Sequence, residues 1–305
     1  MPKQKILYIA AHSRSGSTIL DRILGQIDGA FTVGEIRNIW HRSFAENQLC
    51  GCSQKFNECQ IWQKIVTNTN IDTNFSEGMY KLSRVVDRYK KIPQIIYPSL
   101  RTNNLSKQMI EFQEGLSEIY TGVEKAVKPE FIVDSSKSSS YAMHLQQLKG
   151  FDVHVVHLVR DSRAVAFSRL RKKKRPEIHW KDEYMAQTPA YKTGYQWDLM
   201  NFSMDLLQKF GGYSLVRYED CMRNPTGVVD KIMNDMGLYN KNISFIKDKH
   251  IELGMDHTVS GNPMRFKVGD IELRVDDQWK DEMTKFDRNI VTAITYTQLK
   301  KYGYL

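Results

Sequence analysis

The chain has 305 residues, 41% of them hydrophobic and 26% charged, enough to bury a sizeable core as one large α/β domain or two smaller ones. A formal net charge of +9 points to an anionic partner without choosing among nucleotide, nucleic acid and polysaccharide. No apolar run approaches the ~18 residues of a membrane span, and the one after Lys3 and Lys5 ends too soon for a signal peptide, so the expectation is a cytoplasmic protein.

In chain order, Ile6 to Ala11 read as a buried strand, His12 to Gly16 as a tight polar loop, and Ser17 onward as a helix. Ile19, Leu20, Ile23, Leu24 and Ile27 fall on one face of that helix. Such a loop offers unpaired backbone N–H groups and the positive end of a helix dipole, which suits a phosphate. The nucleotide triphosphatase version of this loop ends in Gly-Lys-Ser/Thr, with a lysine on the terminal phosphates and a hydroxyl on magnesium. Here no lysine precedes Ser17 and Thr18; the loop cation is Arg14, whose fork grips an oxyanion. The plainer alternative is a turn whose serines cap the helix.

Ala30 to Val33 are extended, and Gly34 turns the chain to set Glu35 at the head of a short helix with Ile36, Ile39 and Trp40. The Glu35 carboxylate either complements that helix's dipole or faces whatever the first loop holds. Cys50, Cys52 and Cys59 cluster in the next loop, with Cys221 far away. A metal would need a fourth ligand, for which His41 is the nearest candidate; a local disulfide is a second reading, and free thiols in an ordered loop are the favoured one. Helices are predicted at about Gln60 to Val66, Glu77 to Lys90 and Asn104 to Lys128, with Thr67 to Asn74 as loop. In the last of these, Leu105, Met109, Phe112, Leu116, Ile119, Val123 and Val127 make a core-facing stripe.

A second strand, Phe131 to Val133, ends in Asp134, Ser135, Ser136 and Lys137. A third, Val153 to Val159, ends in Arg160 and runs into a helix bearing Ser168. A fourth, Tyr213 to Arg217, ends in Tyr218. Cations at strand ends, where open parallel sheets bind ligands, predict an α/β fold with a P-loop-like central parallel sheet flanked by helices. The run Arg169, Arg171 to Arg175 is either a landing strip for a polyanion or acidic membrane or, as favoured, a helix C-terminus passing into a solvated segment. A helix is predicted over Tyr184 to Met204, with one face lining a pocket and the other the core, and another over Met283 to Leu299.

Together these motifs resemble the sulfotransferases that use 3′-phosphoadenosine 5′-phosphosulfate, most closely the bacterial and Golgi-type branch with Arg-Ser-Gly-Ser/Thr in its first loop. The resemblance runs from Ile6 to about Trp279 and implies a single sulfotransferase domain over residues 1–305, with a helical insertion at about 60–128 and a nucleotide-covering loop at about 255–270. It implies a 5′-phosphosulfate site at Arg14, Ser15, Gly16, Ser17 and Thr18, and a 3′-phosphate site at Arg160 and Ser168. Tyr218, Arg265 and Phe266 join the nucleotide contacts, the last two from the loop Gly261 to Phe266. Gly34-Glu35 resembles the Gly-Glu pair whose Glu is the base of tyrosylprotein sulfotransferases; Lys137 stands where those enzymes carry a cationic helper, and His12 is the rival base. Trp40 is a further candidate contact. The implied reaction moves a sulfuryl group from the nucleotide to a hydroxyl or amine of a small metabolite, leaving 3′-phosphoadenosine 5′-phosphate and requiring no metal. A glycan acceptor, a P-loop kinase and a nucleic-acid binder are the alternatives, and neither nucleic acid nor membrane is an expected partner.

Overall fold

The computed structural model describes residues 3–305. Five strands, β1 (Gln4–Ala11), β2 (Ala30–Gly34), β3 (Phe131–Lys137), β4 (Phe151–Val159) and β5 (Gly212–Arg217), form one parallel sheet in the order β2-β3-β1-β4-β5. β1 is central, and Ile6 to Ala11 are fully buried, so both faces of the strand are covered and it reads as an unbroken apolar run. Alternate residues feed opposite faces. Ile6, Tyr8 and Ala10 pack in one core cluster, Leu7, Ile9 and Ala11 in another.

The described residues form twelve α-helices: α1 (Ser17–Leu24), α2 (Gln60–Thr67), α3 (Thr73–Val86), α4 (Ile92–Ile96), α5 (Asn103–Val127), α6 (Ser139–Leu145), α7 (Ser162–Leu170), α8 (Ala190–Asp205), α9 (Tyr218–Arg223), α10 (Pro225–Asp235), α11 (Trp279–Glu282) and α12 (Lys285–Lys301). The excursion α2 to α5 lies between β2 and β3, and α5 buries Leu105, Met109, Phe112, Leu116, Ile119 and Val123 along one stripe. From β1 the chain runs out to the edge strand β2, returns through β3 beside β1, and then crosses to β4 on β1's other flank. The carboxyl ends of β3, β1 and β4 therefore stand side by side at the switch point, where such sheets bind ligands. No helix among the described residues is long and apolar enough to cross a membrane.

The structure departs from the sequence reading in three places. α3 begins four residues early because the Asp72 carboxylate accepts from the Phe75 N–H at 2.7 Å and caps it, turning part of the expected loop into helix. α8 begins only at Ala190, after Pro189, and Tyr184 instead pairs with Lys174 in an extended segment. A small antiparallel sheet, β6 (Ile246–Lys247), β7 (His250–Leu253) and β8 (Gly269–Glu272), was not foreseen; two- to four-residue strands carry no readable alternation.

Candidate active site

A cavity of about 1000 Å³ opens over the carboxyl ends of β1, β3 and β4. Its floor is the loop from β1 to α1. Gly16 caps α1 with φ 88°, in the left-handed region, and a Cβ there would stand 2.5 Å from the Tyr218 ring, so both conformation and space require glycine. No side chain closes this helix end, and Gly16, Ser17 and Thr18 line the cavity. Arg14 lines it too, and its Nη1 is buried without a partner among the described residues. Burial and the charge of Arg169 both lower the Arg14 pKa, a strain that an anion would relieve. Ser15, expected among the ligand contacts, does not line the cavity and is 1% exposed.

Arg160, at the end of β4, is 5% exposed and fixed from three sides. It donates to the Arg14 carbonyl at 3.0 Å and to the Asp276 carbonyl at 2.8 Å, and it lies 4.4 Å over the Tyr218 ring. Ser168, two turns into α7, shares the cavity with Arg160 and Tyr218. Arg169 donates to Ser13 and Thr188, and Lys173 and Arg175 also face inward. The basic run is thus divided: Arg169 within α7 and, past its end at Leu170, Lys173 and Arg175 turn into the site, while Arg171, Lys172 and Lys174 do not line it. A run of cations has no period from which the inward members could have been picked.

The opposite wall holds Glu35. Its N–H donates to the Val259 carbonyl at 2.8 Å, and its carboxylate, 12% exposed, does not cap the following turn. One oxygen pairs with the Lys137 ammonium and the other accepts from Asn38 Nδ2 at 2.8 Å. Burial pushes this carboxyl up, but Lys137 and Arg42 outweigh it and hold the pKa below the ordinary value, so Glu35 is a carboxylate at neutral pH. Lys137 reaches it from the end of β3, where the residue adopts φ 71°. His12 lines the same cavity; burial drives its pKa to about 4, and its Nδ1 meets the Ser13 carbonyl at 2.8 Å. That ring is neutral and already held by the backbone.

The cover, residues 254–267, is fastened by two buried arginines. Arg22 of α1 donates to the carbonyls of Arg265 (2.6 Å) and Lys267 (2.9 Å) and lies 2.6 Å from Asp256. Arg265 is 1% exposed and donates to the carbonyls of Thr258 and Leu49, with Phe266 stacked 4.5 Å from its guanidinium. Neither Arg265 nor Phe266, both expected as nucleotide contacts, lines the cavity. Gly261, Asn262 and Met264 do line it, and the Asn262 N–H approaches Thr18 Oγ1 at 3.4 Å. Trp40 also lies outside, packed on Phe44 and Phe75. Sequence reasoning missed Arg37, Asn38, Arg42, Tyr89 and Gln196; Asn38, three residues past Glu35 on the same turn, was the one with a readable signal.

Comparisons with known proteins give the family and the fold. The model of a sulfotransferase family matches residues 7–240. Among solved structures, the chain is similar to the sulfotransferase domain from the curacin biosynthetic pathway, at 15% identity and a TM-score of 0.53 over 97% of this chain and 99% of that one. It is likewise similar to the sulfotransferase domain of the Synechococcus PCC 7002 olefin synthase, at 18% identity and a TM-score of 0.51 over 97% and 94%. Among curated proteins no match is found. The family match spans most of the chain, and the fold and strand-end cations agree with it: the chain belongs to the sulfotransferase family.

Proposed function

We propose that this chain transfers a sulfuryl group from 3′-phosphoadenosine 5′-phosphosulfate to a hydroxyl or amine of a small acceptor. The observation that carries the reading is an ionised Glu35, paired with Lys137, in one cavity with a helix N-terminus whose only loop cation is the unpartnered Arg14. The residues fit the donor: Arg14 Nη1, Arg160 Nε and Arg169 Nε are all buried donors without partners among the described residues, as an anionic ligand would require. When bound, the nucleotide supplies an already activated sulfuryl group for an in-line displacement.

Glu35 removes the acceptor proton as the new S–O or S–N bond forms, a role typically worth about 10²–10⁴-fold in rate. Arg14 and the N–H groups of the α1 terminus offset the charge that builds on the departing 5′-phosphate, at roughly 3–4 kcal/mol per preorganised donor. Lys137 holds Glu35 ionised and stands within reach of the same charge. Arg160 and Ser168 hold the 3′-phosphate, with Tyr218 fixing the Arg160 plane. A cavity of about 1000 Å³ must hold both substrates, which favours a compact acceptor over a long glycan.

Thermal-shift comparison of 3′-phosphoadenosine 5′-phosphate with magnesium–ATP tests the donor. Selective stabilisation by the bisphosphate is expected; selective stabilisation by ATP would overturn the reading in favour of a kinase. Transfer of labelled sulfate to a panel of phenols, alcohols, amines and oligosaccharides then assigns the acceptor class.

A further inference from the structure

The fold brings a second cluster together away from the cavity. Cys50, Cys52, Cys59 and His257 place one ligand atom each within 4.8 Å of one another. None of these four lines the cavity, and His257 comes from the cover, 198 residues beyond Cys59. His41, the ligand expected from sequence, is elsewhere, stacked on Tyr80 at 4.8 Å. We propose that Cys50, Cys52, Cys59 and His257 bind one zinc ion that locks the cover onto the rest of the domain.

The donor set is the usual composition of a closed structural zinc site, three thiolates and one imidazole. Bonds of about 2.3 Å to sulfur and about 2.0 Å to nitrogen give tetrahedron edges of roughly 3.5–3.8 Å, so the present spread needs only a small contraction. Cys59 Sγ and His257 Nδ1 are already 3.2 Å apart. The backbone also prepares the sulfurs. N–H groups of Cys52, Gln54 and Trp62 are directed at the sulfurs of Cys50, Cys52 and Cys59 respectively, and such bonds stabilise thiolates. Cys50 and Cys52 sit in a tight turn closed by Cys50 N–H to Gln54 O at 2.8 Å and Ser53 N–H to Cys50 O at 2.8 Å, and Cys59 sits at the N-terminus of α2. The His257 carbonyl accepts from Trp62 Nε1 at 2.6 Å, which sets the imidazole against the sulfurs. A disulfide would use two of the four groups and leave a thiol and an imidazole crowded beside it; a tetrahedral ion uses all four.

The consequence is mechanical. His257 is followed by Thr258, whose carbonyl accepts from Gly51 N–H at 2.9 Å, and by Val259, which pairs with Gly34 next to Glu35. An ion at His257 therefore fixes the peptide that positions the Glu35 backbone. Binding releases one proton from each thiol still protonated.

The full chain, produced in zinc-supplemented medium and purified without chelator, should carry about one zinc per chain, with three sulfur and one nitrogen neighbours by X-ray absorption. Cys59→Ser and His257→Ala should lose the metal, while Cys221→Ser, in the opposite core cluster, should keep it. Because the first two variants can fail to fold, the wild-type protein is also stripped with a mercurial and a chelator. The thermal midpoint should then fall by roughly 5–10 °C and recover on adding zinc alone, and amide protection at Glu35 and Val259 should fall with it. Wild-type protein that stays metal-free in the presence of zinc, a disulfide between any two of the three cysteines, or iron or copper in place of zinc would overturn the assignment. None of these readouts depends on sulfuryl transfer.

Discussion

Two glycine-containing loops meet in this molecule, and each carries one arginine that the family resemblance assigns to the nucleotide. Arg14, in the loop after β1, leaves Nη1 buried and unpartnered at the cavity, while Arg265, in the cover, spends both terminal nitrogens on the carbonyls of Thr258 and Leu49. The β1 loop is held by its own backbone, between a strand locked in the sheet centre and a helix, which leaves Arg14 Nη1 free for a ligand. The cover has no strand ladder of its own over Gly254 to Ser260 apart from the single pairing of Val259 with Gly34, and it is held by side chains reaching carbonyls. Arg265 leaves its Nε buried and without a partner among the described residues, but outside the cavity, so its guanidinium serves the loop and not a ligand there. The same residue type therefore builds a binding site in one loop and a fastening in the other.

The largest expected effect concerns the residue where the two loops meet. Glu35→Gln should lower kcat by about 10²–10⁴-fold while leaving affinity for 3′-phosphoadenosine 5′-phosphate within a few-fold, as measured by single-turnover kinetics and calorimetry. Full activity in this variant would move the proton transfer to His12. Next, Arg14→Ala should cost about 10²–10³-fold in kcat with little change in unfolding free energy. Arg265→Ala should do the reverse, destabilising by roughly 2–5 kcal/mol in a urea titration because two buried carbonyls lose their donors. A stable Arg265→Ala protein that has lost nucleotide affinity would break the contrast between the loops.

The β1 loop could be read from sequence because every part of its argument is local. An apolar run, a glycine, a cation and a helical stripe lie within about twenty residues, and parallel sheets bind at strand ends. Arg160 and Lys137 were legible for the same reason, Arg160 being the first residue past a buried strand and Lys137 the cation that closes the polar end of another. The cover's place came only from the family resemblance, and its fastening was not legible, because what defines it is distant. Arg22 reads as one more polar position on an amphipathic helix until the fold sets Gly254, Asp256 and Arg265 around it. His257 reads as a loop histidine until it meets cysteines from the other end of the chain. Short motifs report on the backbone that carries them; a side chain's partner across the fold leaves no trace in its own neighbourhood.

A third test separates binding from chemistry within the β1 side. Arg160→Ala should weaken the bisphosphate by roughly 10–100-fold, because a charge-assisted contact and the Tyr218 stacking partner go together. It should spare much of kcat at saturating donor. Ser168→Ala, removing one hydroxyl, should cost less than tenfold on the same isotherm, about the worth of a single hydrogen bond.

The smallest effect is a change in the shape of a pH profile, and it distinguishes the two bases without removing either. Glu35 has its pKa held below the ordinary carboxyl value by Lys137 and Arg42 against the push of burial, so the wild-type kcat should be flat between about pH 5 and 8. The unfolded chain binds the Glu35 proton more tightly than the native one. The ion pair therefore stabilises the fold above the ordinary carboxyl pKa of 4.5, and that contribution is lost as pH falls through the native value. Lys137→Met removes the lowering charge and leaves the burial, so the acid limb should climb into the measured range, and kcat should decline below roughly pH 6. The His12 pKa of about 4 is set by burial, the Ser13 carbonyl and Arg169, not by Lys137. If His12 were the base, the Lys137→Met profile would stay as flat as the wild type, and the wall of the site built on Gly34 and Val259 would have no part in the proton transfer.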